Sequence, residues 1–112
     1  MAIPHAKPGQ PVDVRPLGDR LAAAQTATLV KTDALEVIRL IVPAGKEIPP
    51  HDVPGEITVQ CLEGKVVFCS QGSETELTGG MLLYLPGSAQ HSLRGIEDAS
   101  LLVTIQLKHK KP

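Results

Sequence analysis

His51 and His91 are the residues of this chain with the most chemistry to offer. They are the two of its four histidines that fall among strand-like segments; His5 and His109 sit in the termini and take no role. Imidazole titrates near neutral pH and is a ligand for zinc, iron, nickel, copper or manganese. Around the first histidine the stretch "GKEIPPHDVPGEITVQCLEGKV" adds Asp52, Glu56, Gln60 and Cys61. A catalytic metal usually takes three protein ligands and keeps one position open. Two imidazoles alone hold a metal weakly, so Glu56 or Gln60 must complete such a centre. Without a third donor the pair lines a pocket and meets water or an organic anion. Cys61 has no basic neighbour in sequence to lower its pKa, and core packing is its expected role. Asp52 reads as a solvated loop residue. Tyr84, the only phenol, either closes the pocket or packs in a sheet interface. No serine elbow, Ser/His/Asp spacing or phosphate-cradling glycine loop is present.

These side chains need a scaffold, and the sequence describes one built from strands. The first sixteen residues hold Pro4, Pro8, Pro11 and Pro16, a composition suited to an extended arm. "GDRLAAAQTA" predicts a short helical turn over Gly18–Ala27. Strands are expected at Thr26–Lys31, Leu35–Val42, Ile57–Leu62, Val66–Ser70, Thr75–Leu77, Met81–Leu85, His91–Gly95 and Ser100–Leu107, with turn residues between them. "ITVQCL-EGK-VVFCS" reads as a hairpin whose turn needs Gly64 at positive φ, placing Cys61 and Cys69 in adjacent strands. Short strands at such spacing argue for a sandwich or barrel. Runs such as "VIRLIV", "MLLYL" and "LLVTI" are apolar on nearly both faces, so a partner sheet or subunit is expected to cover the second face. The expected organisation is an arm over residues 1–26, a barrel over 27–108 and a solvated basic tail over 109–112.

Within Ile57–Leu62 the alternation reads in both directions. Ile57, Val59 and Cys61 share one face, and Glu56, Thr58 and Gln60 the other. A bulge at Pro54-Gly55 would exchange them.

The bulk numbers narrow the classes. A chain of 112 residues is one domain, with an aliphatic core because it holds one Phe, one Tyr and no Trp. A formal net charge of −1 and so few aromatics argue against nucleic-acid binding. No apolar run approaches the roughly 20 residues of a membrane helix, and the N-terminus lacks a secretory signal, so a cytoplasmic setting is expected.

Two segments resemble the motifs of the cupin superfamily. Gly80, five residues, Pro86, Ser88 where the family prefers glycine, then His91 resembles the second motif, with Gly95 in place of its asparagine. Gly45, five residues, His51 and then Gly64 thirteen residues later resembles the first. The resemblance spans Thr28 to Leu107 and implies a jelly-roll barrel, a double-stranded β-helix open at one end to a small pocket. It also implies a homodimer, and a site at which His51 and His91 converge. The family's four metal-ligand positions map onto His51, Val53, Ile57 and His91, so hydrocarbons hold two of them. The fold hosts many chemistries; the function expected from the residues is binding of a small polar ligand or ion by a pocket of His51, His91, Gln60, Glu56 and Tyr84. One alternative is a metal-dependent dioxygenase or isomerase using iron, manganese, nickel or zinc. Another is a structural or regulatory dimer with a vestigial pocket.

Overall fold

A computed structural model describes residues 5–107; the expected basic tail at 109–112, with His109, lies outside them. Among these described residues seven strands follow one short 3₁₀ turn, Gly18–Ala23: β1 (Ala27–Lys31), β2 (Leu35–Val42), β3 (Glu47–His51), β4 (Ile57–Ser70), β5 (Ser73–Thr78), β6 (Leu82–Leu85) and β7 (His91–Gln106). All pairings are antiparallel. Two long strands, β4 and β7, run side by side from end to end and belong to both walls of the barrel. The early half of β4 and the late half of β7 pair with β6 and β2, and β1 lies outside β2. The other halves pair with β5 and β3.

The expected hairpin at 57–70 is therefore one continuous strand. Its "EGK" is the corner where β4 turns from one wall into the other. The register against β7 shifts between Cys61 and Glu63, between Glu63 and Lys65, and between Lys65 and Val66. Gly64 does adopt the positive φ foreseen for it, 84°, but within a bulge rather than a turn. Cys61 and Cys69 consequently lie on the same strand, both as free thiols. The segments His91–Gly95 and Ser100–Leu107 likewise join into β7. Strand β3 was absent from the pattern because Pro49 and Pro50 cannot donate to a ladder; it is tolerated at an edge, with its register shifted between Ile48 and His51.

The core is aliphatic, as the composition requires. Val42, Ile57, Val59, Cys61, Val66, Leu77, Leu101 and Phe68 are all buried within it. The apolar set of β4 faces in.

The arm is fastened across the outside of the β2–β7–β4 wall. The Ala6 amide donates to the Leu29 carbonyl at 2.8 Å. At the β4 corner the Glu63 carboxylate accepts from the amides of Leu17 (2.8 Å) and Gly18 (3.1 Å) and from the Ser100 hydroxyl (2.7 Å). Burial pushes the Glu63 carboxyl up, but those three donors and the nearby Arg39 charge outweigh it and hold it below the usual range. Leu21, in the 3₁₀ turn, is the arm's buried anchor. Among the described residues no helix is long and apolar enough to cross a membrane.

Candidate functional site

Edge strand β3 ends at His51, and β7 begins at His91. The two are register partners, which brings their rings together at one mouth of the barrel. The ring centroids are 4.2 Å apart with planes inclined by 61°. Phe68 of β4 stacks beneath His91 at 5.6 Å and 10°. His91 is 6% exposed, whereas His51 is exposed. The β7 start is set by the preceding loop, where Ser88 has a φ of 65°. That left-handed backbone explains why glycine suits this position.

Both rings are oriented by the backbone in the same way. His51 Nδ1 lies 3.1 Å from the Pro49 carbonyl oxygen, and His91 Nδ1 lies 3.0 Å from that of Ala89. A carbonyl only accepts, so each Nδ1 carries the proton and donates. Each neutral ring then keeps its lone pair on Nε2. Burial pushes the His91 pKa down, with His51 adding to the effect; the bond to Ala89 and the charge of Asp52 oppose it. The neutral base is the favoured form of His91 in the folded state.

Beneath the pair lies a cavity of ≈ 180 Å³. Apart from the two imidazoles its walls are hydrocarbon: Ile38 and Leu40 of β2, Ile48 of β3, Ile57, Val59 and Phe68 of β4, and Leu93, Val103 and Ile105 of β7. Sequence reasoning missed these wall residues as a site. The signal for them was the doubly apolar runs, in which one face serves the cavity.

Three expected pocket residues are elsewhere. Glu56, Gln60 and Tyr84 stand on the outer face of the β4–β6 wall, because the barrel interior takes the hydrocarbon face of an alternating strand. Thr58 pairs with Tyr84, and Gln60 with Leu82, along that outer face. The Tyr84 hydroxyl donates to Glu56 Oε1 at 2.7 Å, which raises the phenol's pKa, and Tyr84 is 55% exposed. Cys61 is a core residue whose thiol donates to the Glu63 carbonyl oxygen at 3.4 Å, and burial pushes its pKa up. It is not poised as a nucleophile.

The metal centre implied by the cupin resemblance does not fit these residues. Val53 packs against the core and Ile57 is 4% exposed within it, so two donor positions are filled by hydrocarbon. Glu56, the carboxylate expected to replace them, points outward to Tyr84, and Asp52 beside Val53 is exposed. Among the described residues no three His, Cys, Asp or Glu side chains converge as a metal-binding group.

No protein-family profile and no curated protein matches the sequence. Solved structures do. A conserved protein of unknown function from Streptococcus pyogenes superposes with a TM-score of 0.74 at 19% identity, over 98% of this chain and 97% of that one. A cupin superfamily protein from Desulfitobacterium hafniense DCB-2 also gives 0.74, at 15% identity, over 87% and 94%. An RmlC-like cupin from Desulfovibrio desulfuricans gives 0.68 at 23% identity, over 92% and 98%. Likeness at these identities speaks to architecture and leaves the chemistry to the site itself.

Proposed function

We propose that this chain, which has the cupin fold, is a binding module for a compact organic molecule with a hydrocarbon body and one protic group. The observation that carries this reading is the pair of Nε2 lone pairs at the mouth of an otherwise hydrocarbon cavity. A hydroxyl group donates to Nε2 of His91, the buried ring, while the apolar walls take the rest of the molecule. Apolar cavities of about 150 Å³ accept a benzene-sized ligand, so phenols and short alcohols are the class that fits. The polar ligand expected from the sequence becomes a molecule polar at one end only. The free thiols Cys61 and Cys69 suit the cytoplasmic setting proposed for it.

Thermal unfolding at pH 7.5 with a panel of phenols and short alcohols tests the reading. A ligand present at 100 times its dissociation constant adds about 2.7 kcal/mol of stability. His91→Phe keeps a ring over Phe68 but removes Nε2, and it is expected to abolish the rise. Binding should also weaken in acid, once pH falls through the depressed folded-state pKa of His91 and Nε2 is protonated. The free protein shares this acid limb. Because the folded-state pKa of His91 is depressed, its contribution to stability is full above the unfolded value and is lost as pH falls through the folded one. A panel without one stabilising member, or equal binding by His91→Phe, overturns the proposal.

The module is proposed to act as a homodimer. Met81, Leu82 and Tyr84 expose apolar surface on the outer wall, and Glu56 beside Tyr84 is engaged by its hydroxyl. A two-fold axis would set this patch against its own copy and bury the exposed side chains of both. Light scattering should give twice the chain mass for the native protein and the single mass for Leu82→Arg. A native monomer refutes this assembly.

A further inference from the structure

Strand alternation in β2 sends Ile38 and Leu40 into the histidine cavity and Arg39 out of the opposite side of the wall. There a second hollow of ≈ 350 Å³ lies between the wall and the arm, lined by Asp13, Arg15, Pro16, Leu17, Arg20 and Arg39. Half of that lining is arginine. Arg39 is 7% exposed, an unusual depth for a charged side chain. Its Nη1 donates to the Arg15 carbonyl at 3.1 Å and its Nη2 to that of Asp13 at 3.2 Å. A guanidinium has five N–H groups, so these two bonds leave donors to spare. The Arg20 side chain makes no hydrogen bond or ion pair among the described residues.

The hollow already holds one oxyanion, supplied by the chain. Arg15 grips the Asp13 carboxylate with Nε at 3.0 Å and Nη2 at 2.8 Å, and the Arg15 amide adds a bond of 2.9 Å. These bonds hold the Asp13 carboxyl far below the usual carboxylate range. The other anion near Arg39 is Glu63, which is committed to Leu17, Gly18 and Ser100. Arg15 is thus matched by Asp13 and Arg39 lies near Glu63, which leaves the Arg20 guanidinium and the spare Arg39 donors without a carboxylate of their own in the lining.

We propose that this hollow is a binding site for a small multivalent oxyanion of the phosphate type, clasped between Arg15 and Arg20 on the arm and Arg39 on the wall. Planar forked donors match a tetrahedral oxyanion better than lysines do. The ligand bridges the arm and the barrel wall, so its binding tightens the one onto the other.

The test uses the full chain, titrated calorimetrically with inorganic phosphate and with pyrophosphate, against sodium chloride and acetate at matched ionic strength. Saturable binding by the phosphates alone is expected. Arg20→Gln should weaken it about tenfold or more, the loss of one charge-assisted contact. Leu21, the buried anchor beside it, is untouched by that change, and Arg15→Gln provides a second variant. Amide exchange at Leu17 and Gly18 should slow with phosphate in the native protein and not in Arg20→Gln. His91→Phe should bind phosphate normally. Four results overturn the proposal: a response no larger than that to chloride or acetate, equal binding by Arg20→Gln, loss of phosphate binding in His91→Phe, or capture by anionic vesicles with no response to free phosphate.

Discussion

Gly64→Ala is expected to cost on the order of 3 kcal/mol or more, the sum of backbone strain and overpacking. The backbone at Gly64 has φ of 84°, which an alanine adopts at a penalty of about 1–2 kcal/mol. A Cβ there would also lie 2.0 Å from the Asp98 carbonyl oxygen and 2.6 Å from the Ala99 Cα. Both atoms are backbone of β7, so neither can swing aside as a side chain would. Gly72 is the control. Its φ is 78° and a Cβ added there would meet nothing within 4 Å, so Gly72→Ala should lose only the strain. Urea denaturation separates the two through their midpoints at unchanged slope. Equal losses would mean that the β4–β7 crossing exerts no packing constraint at Gly64.

Ile57→Glu should be the most damaging single change at the candidate site. Ile57 is 4% exposed between Leu85 and Ile105, its register partners on either side. An ionised carboxylate placed there has no partner, and the expected loss at pH 7 is about 3–5 kcal/mol. Burial raises the pKa of such a group above its unfolded value. The ionisation part of the penalty is therefore absent below about pH 4.3, where an unfolded glutamate protonates, and grows as pH rises toward the folded value, while the cost of burying the unpartnered neutral carboxyl remains. Gln60→Glu, three residues along on the outer face, should stay within about 0.5 kcal/mol. Thermal denaturation from pH 4 to 8 reads both. If the two substitutions behave alike, the inward face of β4 has been assigned the wrong way round. The same pair bears on the metal question, since Ile57 occupies the carboxylate position of the cupin motif and is held there by packing.

The misread hairpin shows where local pattern stops. "EGK" carries turn residues, and Gly64 takes the positive φ that a turn would need. A bulge asks the same of its glycine. What separates them is whether one partner strand runs past both halves, and β7 does, from His91 to Gln106. At the corner Glu63 meets Ser100 and Lys65 meets Glu97, partners far beyond any window of periodicity. Strand β3 was hidden for the opposite reason: its prolines speak against a strand locally, and only its edge position makes it one.

Much of the site was legible in two spacings. Gly45-x5-His51 and Gly80-x5-Pro86 with His91 identified the barrel and the two histidines that meet at its mouth. The aliphatic core followed from composition alone. The facing of β4 did not, because "E-I-T-V-Q-C" alternates with equal regularity whichever side is buried. Closing the barrel decided it: the interior was already hydrocarbon from β2, β3 and β7, and an inward Glu56 or Gln60 would have lacked partners there. Nor did any spacing reveal that Pro49 and Ala89 hold the rings with their Nε2 lone pairs free, or that the arm lays Arg15 and Arg20 beside Arg39. Residue types and short repeats determined which elements form; contacts between distant strands determined which faces meet, since burial is a property of the closed barrel and not of any one strand.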